Sequence, residues 1–377
     1  MKKTNNIEEK QDDKKTLLIT RIYNKINLIK EIVNQPTLFP EYERKSKLRR
    51  YIDNYKWTLK YRRVNTCYNI WGLDAKNFRN PKDYLDLKDM RKQKNEIGIN
   101  LPEDSKITPQ ELITKFSLIA DDKFVFYTYF NSIMPGITPD ILMIFKNNKV
   151  LWPDTNKTAV EYIKDLKDEK YICKANTGLG GHSITLITKK NNKITLSRED
   201  TNLEEFIESL GNDTYIIQNY VYQHKDIAKL NESSLNTVRI ISVRFNEKTS
   251  FLGAMLRIGV DKNQVVDNAS SGGTFVGIDI ETGKLKEYGH FFDGEKTKSH
   301  PSSKITYKDY QIPYWKEVKD LIKKLHPFMY GMPSIGWDIA ITEKGPVIIE
   351  INADWGTKGL QTANGGLKAR WEELKKK

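Results

Sequence analysis

The chain is poor in the residues that cross-link proteins. Cys67 and Cys173 are the two cysteines in 377 residues. They are far apart and outside any CxxC spacing, which excludes a disulfide framework or a cysteine zinc site. Long apolar runs are missing as well: no stretch of 18 apolar residues, no signal peptide and no lipidation box can be read, so a cytoplasmic location is expected. No internal repeat is evident. Acidic residues are in deficit, 49 against 62 Lys and Arg, for a formal charge of +13. That excess attracts polyanions, whether nucleotides, acidic glycans, anionic membrane surfaces or nucleic acid, without choosing among them. Apolar content of 38% and charged content of 29% describe a globular chain, long enough for two or three packed domains.

What is present concentrates near the C-terminus. Trp337, Asp338, Ile339, Ala340 and Ile341 alternate as a strand, the Lys344-Gly345 region turns, and residues 347–352 return. Period-two alternation puts Glu350 and Asn352 on one face, and the hairpin brings Asp338 beside them. Two carboxylates and an amide oxygen form a hard, oxygen-only set that suits Mg²⁺. Ile348, Ile349 and Ile351 surround the set, and buried carboxylates need a partner or a metal.

Toward the N-terminus, the first 15 residues are polar and read as disordered. Residues 16–34 have helical spacing. Residues 41–64 are strongly basic, interleaved with Tyr42, Leu48, Tyr51, Ile52, Tyr55, Trp57 and Leu59. They read as an amphipathic helix, either packed with a solvated charged face or docking on a membrane surface or anionic glycan. From residue 101 helix–strand units follow, then an antiparallel sheet. The fold class is α+β with more than one domain: a helical, basic extension (1–100) and three further segments, 101–155, 156–221 and 222–377.

Lys174 lies at the end of a strand, just before a loop holding Gly178, Gly180, Gly181 and His182. Backbone N–H groups and an ammonium can there approach phosphate oxygens together, although the loop is not a Walker A sequence. Arg239 and Arg257 lie on successive strands, with Asn268 and Gly272-Gly273 after them. Arginines on a sheet that also carries a Mg²⁺ set suit a phosphate or carboxylate.

Taken in order, these pieces resemble the ATP-grasp superfamily. The matching series is Asp122-Lys123 opening a helix, Gly136 to Pro139 ending it, Ile172-x-Lys174 with its glycine loop, a strand ending at Gln218, and the set Asp338, Glu350, Asn352. Arg257, Asp267-Asn268 and Gly272-Gly273 are similar to the ribosomal-protein glutamate ligase branch. Gln223-His224, Leu230-Asn231 and Asn236-Thr237-Val238-Arg239 look closer still to the sugar-transfer-associated ATP-grasp proteins. The resemblance runs from about residue 109 to 366 and leaves the first hundred residues outside.

It implies an ATP-grasp fold with ATP and Mg²⁺ as cofactors. Lys123 and Lys174 would hold the phosphates of ATP under a lid containing Gly178, Gly180 and Gly181. Gln218 and the backbone of Tyr220 and Val221 would read adenine between Ile172 and Ile349. His224 or Asp226 would sit near the ribose. Asp338, Glu350 and Asn352 would bind Mg²⁺. Arg257 and Asn268 would face the transferred phosphoryl group, with Arg239 beside them and His182 as a base or a lid residue. The expected activity is carboxylate–amine ligation through an acyl-phosphate, on a hexuronic acid or another glycan-linked carboxylate. A sugar or polyol kinase and a polyanion-binding protein without turnover are the alternatives. No nucleic acid partner is expected; peripheral contact with a membrane or glycan-assembly proteins through the basic helices is.

Overall fold

The computed structural model describes residues 2–86, 106–178, 184–197, 201–245, 247–261 and 272–376, with 2–15, 109 and 110 as backbone only. They form two compact units, Met1–Asp89 and Met90–Lys377.

In the first unit, helices α1 (Lys2–Asn34) and α2 (Lys47–Tyr61) run antiparallel. Lys25 Nζ bonds the Arg62 carbonyl at one end, and Arg50 Nη1 the Val33 carbonyl at the other. Disorder over the first 15 residues is not found, since α1 starts at Lys2. Elongating a formed helix needs no new nucleus, and a Glu-, Lys- and Gln-bearing stretch without Pro or Gly continues it readily. Ile29, Ile32 and Val33 of α1 pack with Trp57, Tyr61, Tyr68 and Trp71 in the unit's core. The Ser46 side chain caps α2 by accepting from the Arg49 N–H.

The second unit opens with α3 (Pro109–Asp121) and α4 (Lys123–Ile133). Thr108 and Glu111 form a capping box at α3, which satisfies two otherwise orphaned donors. Asp122 ends α3 and caps α4, its Oδ1 accepting from the Phe124 and Val125 N–H groups at 3.0 and 2.9 Å.

Six strands follow: β1 (Ile141–Lys146), β2 (Lys149–Trp152), β3 (Lys170–Ala175), β4 (Thr185–Lys190), β5 (Lys193–Leu196) and β6 (Tyr215–Asn219), ordered β2-β1-β6-β3-β4-β5. Helices α5 (Ala159–Asp165) and α6 (Leu203–Ser209) cover one face, over Met143, Tyr171, Cys173 and Ile217. A boundary at 155/156 is therefore corrected: β1 and β2 pair into the same sheet as β3 to β6, through the long-range β1–β6 ladder.

The second sheet is antiparallel. Its strands are β7 (Thr237–Phe245), β8 (Lys248–Ile258), β9 (Thr274–Ile278), β10 (Leu285–His290), β11 (Lys296–Thr297), β12 (Ser334–Thr342) and β13 (Gly345–Asn352), ordered β11-β10-β9-β8-β7-β12-β13. The short helix α7 (Lys225–Ala228) connects the sheets, and α8 (Trp315–Leu325) precedes the hairpin. Helices α9 (Thr357–Asn364) and α10 (Lys368–Lys375) close the chain.

One face of the second sheet forms the largest core, with Ile240, Trp337, Ile339, Ile348 and Ile351 packed with α8 and with Phe126 and Phe130 of α4. Phe124 and Tyr127 of the same helix pack instead on Ile141, Ile144 and Ile216 of the first sheet. Helix α4 thus ties the sheets together, and Lys123 is its first residue.

Candidate active site

The hairpin register fixes the site. Asp338 pairs with Glu350 and Gly336 with Asn352. Residues directly opposite in an antiparallel pair share a face, so Asp338, Glu350 and Asn352 project together. The register then slips, with Ile339 opposite Ile348. Ile349 is the extra residue of a β-bulge, a device that re-aims side chains. Without it Ile348 would share the face of Glu350; with it Ile348 is fully buried in the core beside Ile339.

Asp338 is fully buried. Across the β7–β12 pair it faces Arg239, which grips it in the fork geometry, Nε to Oδ1 and Nη2 to Oδ2, the latter at 2.7 Å. Arg257 Nη2 reaches Oδ2 at 3.1 Å and is steadied by the Thr237 hydroxyl at 2.7 Å. Burial pushes the Asp338 carboxyl up, but the two guanidinium groups overcome it and hold the group well below the usual carboxylate range. Glu350 behaves in the opposite way. Burial first, and the Asp338 charge second, push it up to about 7. Asn352 Nδ2 lies 3.4 Å from Asp338 Oδ2 and 3.5 Å from Glu350 Oε1. The amide nitrogen thus faces both carboxylates, where the expectation had its oxygen on a metal; a half-turn of the amide exchanges the two atoms.

The lysines come from the first sheet and α4. Asn176, two residues beyond Lys174, accepts from the Phe124 N–H at 3.0 Å and donates to Asp122 Oδ2 at 2.7 Å. Its carbonyl accepts from the Lys123 N–H at 3.0 Å. The start of α4 is therefore pinned to the end of β3, which brings Lys123 beside Lys174. Lys123 Nζ lies 3.2 Å from the Gly178 carbonyl. Lys174 is buried, and burial first and the like charge of Lys123 second push its ammonium down to about 8, with Glu350 pulling it back. Burial also lowers Lys123, again opposed by Glu350. Lys123, Lys174, Glu350, Asp338 and the two arginines thus influence one another electrostatically.

Other expected residues are distributed unevenly. Ile172 and Gln218 face each other across β3 and β6, on the same side as Lys174, and Ile172 and Ile349 are both half-buried. Gln218 Nε2 donates to the Pro139 carbonyl at 3.0 Å, which directs the amide oxygen the other way. The Tyr220 N–H is bonded to the Lys170 carbonyl at 3.3 Å, so this donor is already taken. His224 and Asp226 lie apart from the lysines. His224 Nδ1 accepts from the Asp226 N–H, its Nε2 is 3.4 Å from Glu343 at the hairpin turn, and Asp226 pairs with Lys229 at 2.6 Å. Gly180, Gly181, His182 and Asn268 lie outside the described residues.

Sequence reading missed Asn176, whose position two residues after a lysine at a strand end was a usable signal. It also missed the partner of Arg239 and Arg257, expected to face a phosphoryl group but closed on Asp338. The sequence-matched Gln223, Asn231 and Asn236 are a buried hydrogen-bond network. Gln223 Nε2 donates to the Asn231 and Ser234 carbonyls, and Asn236 Nδ2 to Gln223 Oε1 at 3.0 Å. Asn231 Nδ2 reaches the Gly259 carbonyl at 2.8 Å.

Among the described residues no three His, Cys, Asp or Glu side chains gather for a metal ion; this set has two carboxylates and an amide. It still fits a hard divalent cation. Glu350 is disfavoured as an anion where it stands, and an amide N–H bridges the two carboxylates where a cation would relieve them. Half-buried Lys123 and buried Lys174, both disfavoured as cations by desolvation, match a polyanion in the same way.

No curated protein matches the chain. D-alanyl-alanine synthetase A from Vibrio cholerae is similar in structure, with TM-score 0.40 and 10% identity, over 67% of this chain and 61% of its own. D-alanine–D-alanine ligase from Helicobacter pylori gives 0.38 and 10%, over 69% and 59%. The ATP-grasp ligase PsnB, solved with minimal precursor, Mg and ADP, gives 0.36 and 13%, over 70% and 61%. The chain thus spans less than two thirds of the length of each. The family model described as sugar-transfer associated ATP-grasp matches residues 106–376, nearly the whole second unit. The chain belongs to the sugar-transfer-associated ATP-grasp family, and its paired α+β sheets are an ATP-grasp fold.

Proposed function

We propose that the chain is an ATP-dependent carboxylate–amine ligase that uses Mg²⁺ and forms an amide on a hexuronic acid or another glycan-linked carboxylate. The observation that carries this reading is the opposition of two ammonium groups, buried Lys174 and half-buried Lys123, to the Asp338, Glu350, Asn352 set on the other sheet. A Mg-nucleotide satisfies both halves, since its phosphates are anions and its metal a hard cation.

Each residue then has a physical task. Lys123 and Lys174 neutralise phosphate charge, and their position depends on Asn176. Asp338, Glu350 and Asn352 would hold the metal, whose chemistry when bound is to screen the phosphates against an incoming carboxylate. Arg239 keeps Asp338 ionised and aimed. Arg257 adds positive charge on the side of β8, where an anionic acceptor would be drawn. Half-buried Ile172 and Ile349 offer apolar surface to a base, with Gln218 oriented toward it. The association of the family with sugar transfer and the overall charge of +13 support a glycan-linked acid.

The test is ADP release on mixing the full chain with Mg-ATP, uronic-acid sugars and amines. Release that requires both a carboxylate and an amine, and that Glu350→Gln abolishes, is expected. Release with no carboxylate requirement would overturn the ligase reading in favour of a kinase.

A further inference from the structure

Helix α2 has two apolar faces and one core. Arg50, Asn54, Trp57 and Tyr61 are its buried residues, at i, i+4, i+7 and i+11. Leu48, Ile52, Tyr55 and Leu59 repeat at the same interval on the opposite side of the helix. They are 70, 36, 42 and 73% exposed. A continuous exposed stripe with two leucines is unlike the single exposed apolar residues of ordinary surfaces and marks a contact face. At 100° per residue Arg49, Lys56 and Lys60 line one edge of the stripe, and Lys47 stands at its start. The one acid of α2, Asp53, is taken by Lys45 at 2.9 Å, Arg49 at 3.2 Å and the Tyr68 hydroxyl at 3.1 Å. Among the described residues no carboxylate pairs with Lys47, Lys56 or Lys60. The neighbouring part of α1 is similar: residues 16–30 contain no acid, and Leu17, Leu18 and Ile22 are each at least half exposed.

Charge selects the occupant. A second copy docked α2 against α2 would bring two basic edges together. A soluble polyanion would use the lysines and leave the leucines in water. An anionic lipid surface satisfies both features, because apolar side chains enter the boundary between headgroups and acyl chains while lysines meet lipid phosphates. We propose that the first unit docks on anionic membranes through this outward face of α2, with Leu48, Ile52, Tyr55 and Leu59 in the interface and Lys47, Lys56 and Lys60 on the headgroups. None of these residues belongs to the nucleotide site, so the proposal stands apart from the ligase reading. No described helix is long and apolar enough to cross a membrane, and the contact proposed is peripheral.

The experiment is flotation of the full chain with vesicles of phosphatidylcholine alone and of phosphatidylcholine mixed with phosphatidylglycerol. Sedimentation velocity and circular dichroism accompany it. Binding to the mixed vesicles only is expected. The double variant Leu48→Ser/Leu59→Ser should lower partitioning by roughly tenfold or more through lost apolar burial. Lys56→Gln/Lys60→Gln should lower it by a similar factor. Both variants should keep wild-type helicity, since the changed side chains are exposed. Absence of flotation overturns the proposal. So does binding that salt removes and that the serine variant retains, which would mean a soluble polyanion. A dimer that the serine variant dissolves would assign the face to a second copy.

Discussion

Asp338 and Glu350 are neighbours on one sheet face, yet removing their charges should move stability in opposite directions. Consider Asp338→Asn in the metal- and nucleotide-free protein. The side chain keeps its shape but leaves Arg239 and Arg257 without the anion that both contact. Breaking a buried ion pair by removing one partner costs about 3–5 kcal/mol. For a unit of this size that is a fall in melting temperature of roughly 5–8 °C. The lowered pKa gives the matching pH behaviour: the stability Asp338 contributes is present above about pH 4 and is lost as pH falls through its folded value. Glu350→Gln removes a charge that burial already disfavours. A carboxyl whose folded pKa is raised from its ordinary value to about 7 contributes stability that is present below about pH 4.5. That contribution is lost as pH rises through about 7, leaving a cost of order 1–3 kcal/mol at pH 8. The glutamine variant should lack this slope and melt higher than wild type at pH 8.

The assay is calorimetry of the full chain in EDTA at several pH values between 4 and 8, following the transition of the second unit. Opposite shifts at pH 8, with a flattened pH profile for Glu350→Gln alone, are expected. If both variants lower the melting temperature by similar amounts at pH 8, the division of the pair into one compensated and one uncompensated carboxylate is refuted. Nucleotide turnover should be lost in both, so activity by itself would not separate the two roles.

Lys174→Met should abolish Mg-ADP binding as read by titration calorimetry. At pH 7 it should leave the unliganded protein as stable as wild type or more so, because a lysine held down at about 8 contributes stability only as pH rises past that value; unchanged nucleotide affinity would remove the lysine from the site. Asn176→Ala should raise the KM for ATP and destabilise by about 1–3 kcal/mol, through loss of its bond from the Phe124 N–H and its charge-assisted bond to Asp122 Oδ2 at the start of α4, measured by steady-state kinetics and denaturant titration. Gly336→Ala should destabilise by about 1–3 kcal/mol, since its Cβ would stand 2.7 Å from Trp355 Cβ, and the midpoint of urea unfolding reports it.

How much of this could be read in advance follows from the range of each interaction. The hairpin placed Asp338, Glu350 and Asn352 correctly because turn and alternation are local, and both strands lie within 19 residues. The Ile349 bulge was not legible, since Ile348, Ile349 and Ile351 are equivalent letters until the core claims two of them. The arginines were placed on the right sheet, but their pairing with Asp338 was not legible. Arg239 and Asp338 are 99 residues apart, and they meet only because β12 pairs with β7, which no periodicity specifies. Asn176 escaped notice for a related reason: its work is to hold Asp122 and Phe124, more than 50 residues earlier. His224, which the resemblance set near a ribose, is held by the fold in capping α7 and facing Glu343. The second face of α2 was written in the sequence from the start. Leu48, Ile52, Tyr55 and Leu59 and the buried series share one periodicity, so the sequence alone could not tell which face the core would take. Only the packing of α1 against Trp57 and Tyr61 leaves the other face outward, and turns a basic amphipathic pattern into a specific surface to test.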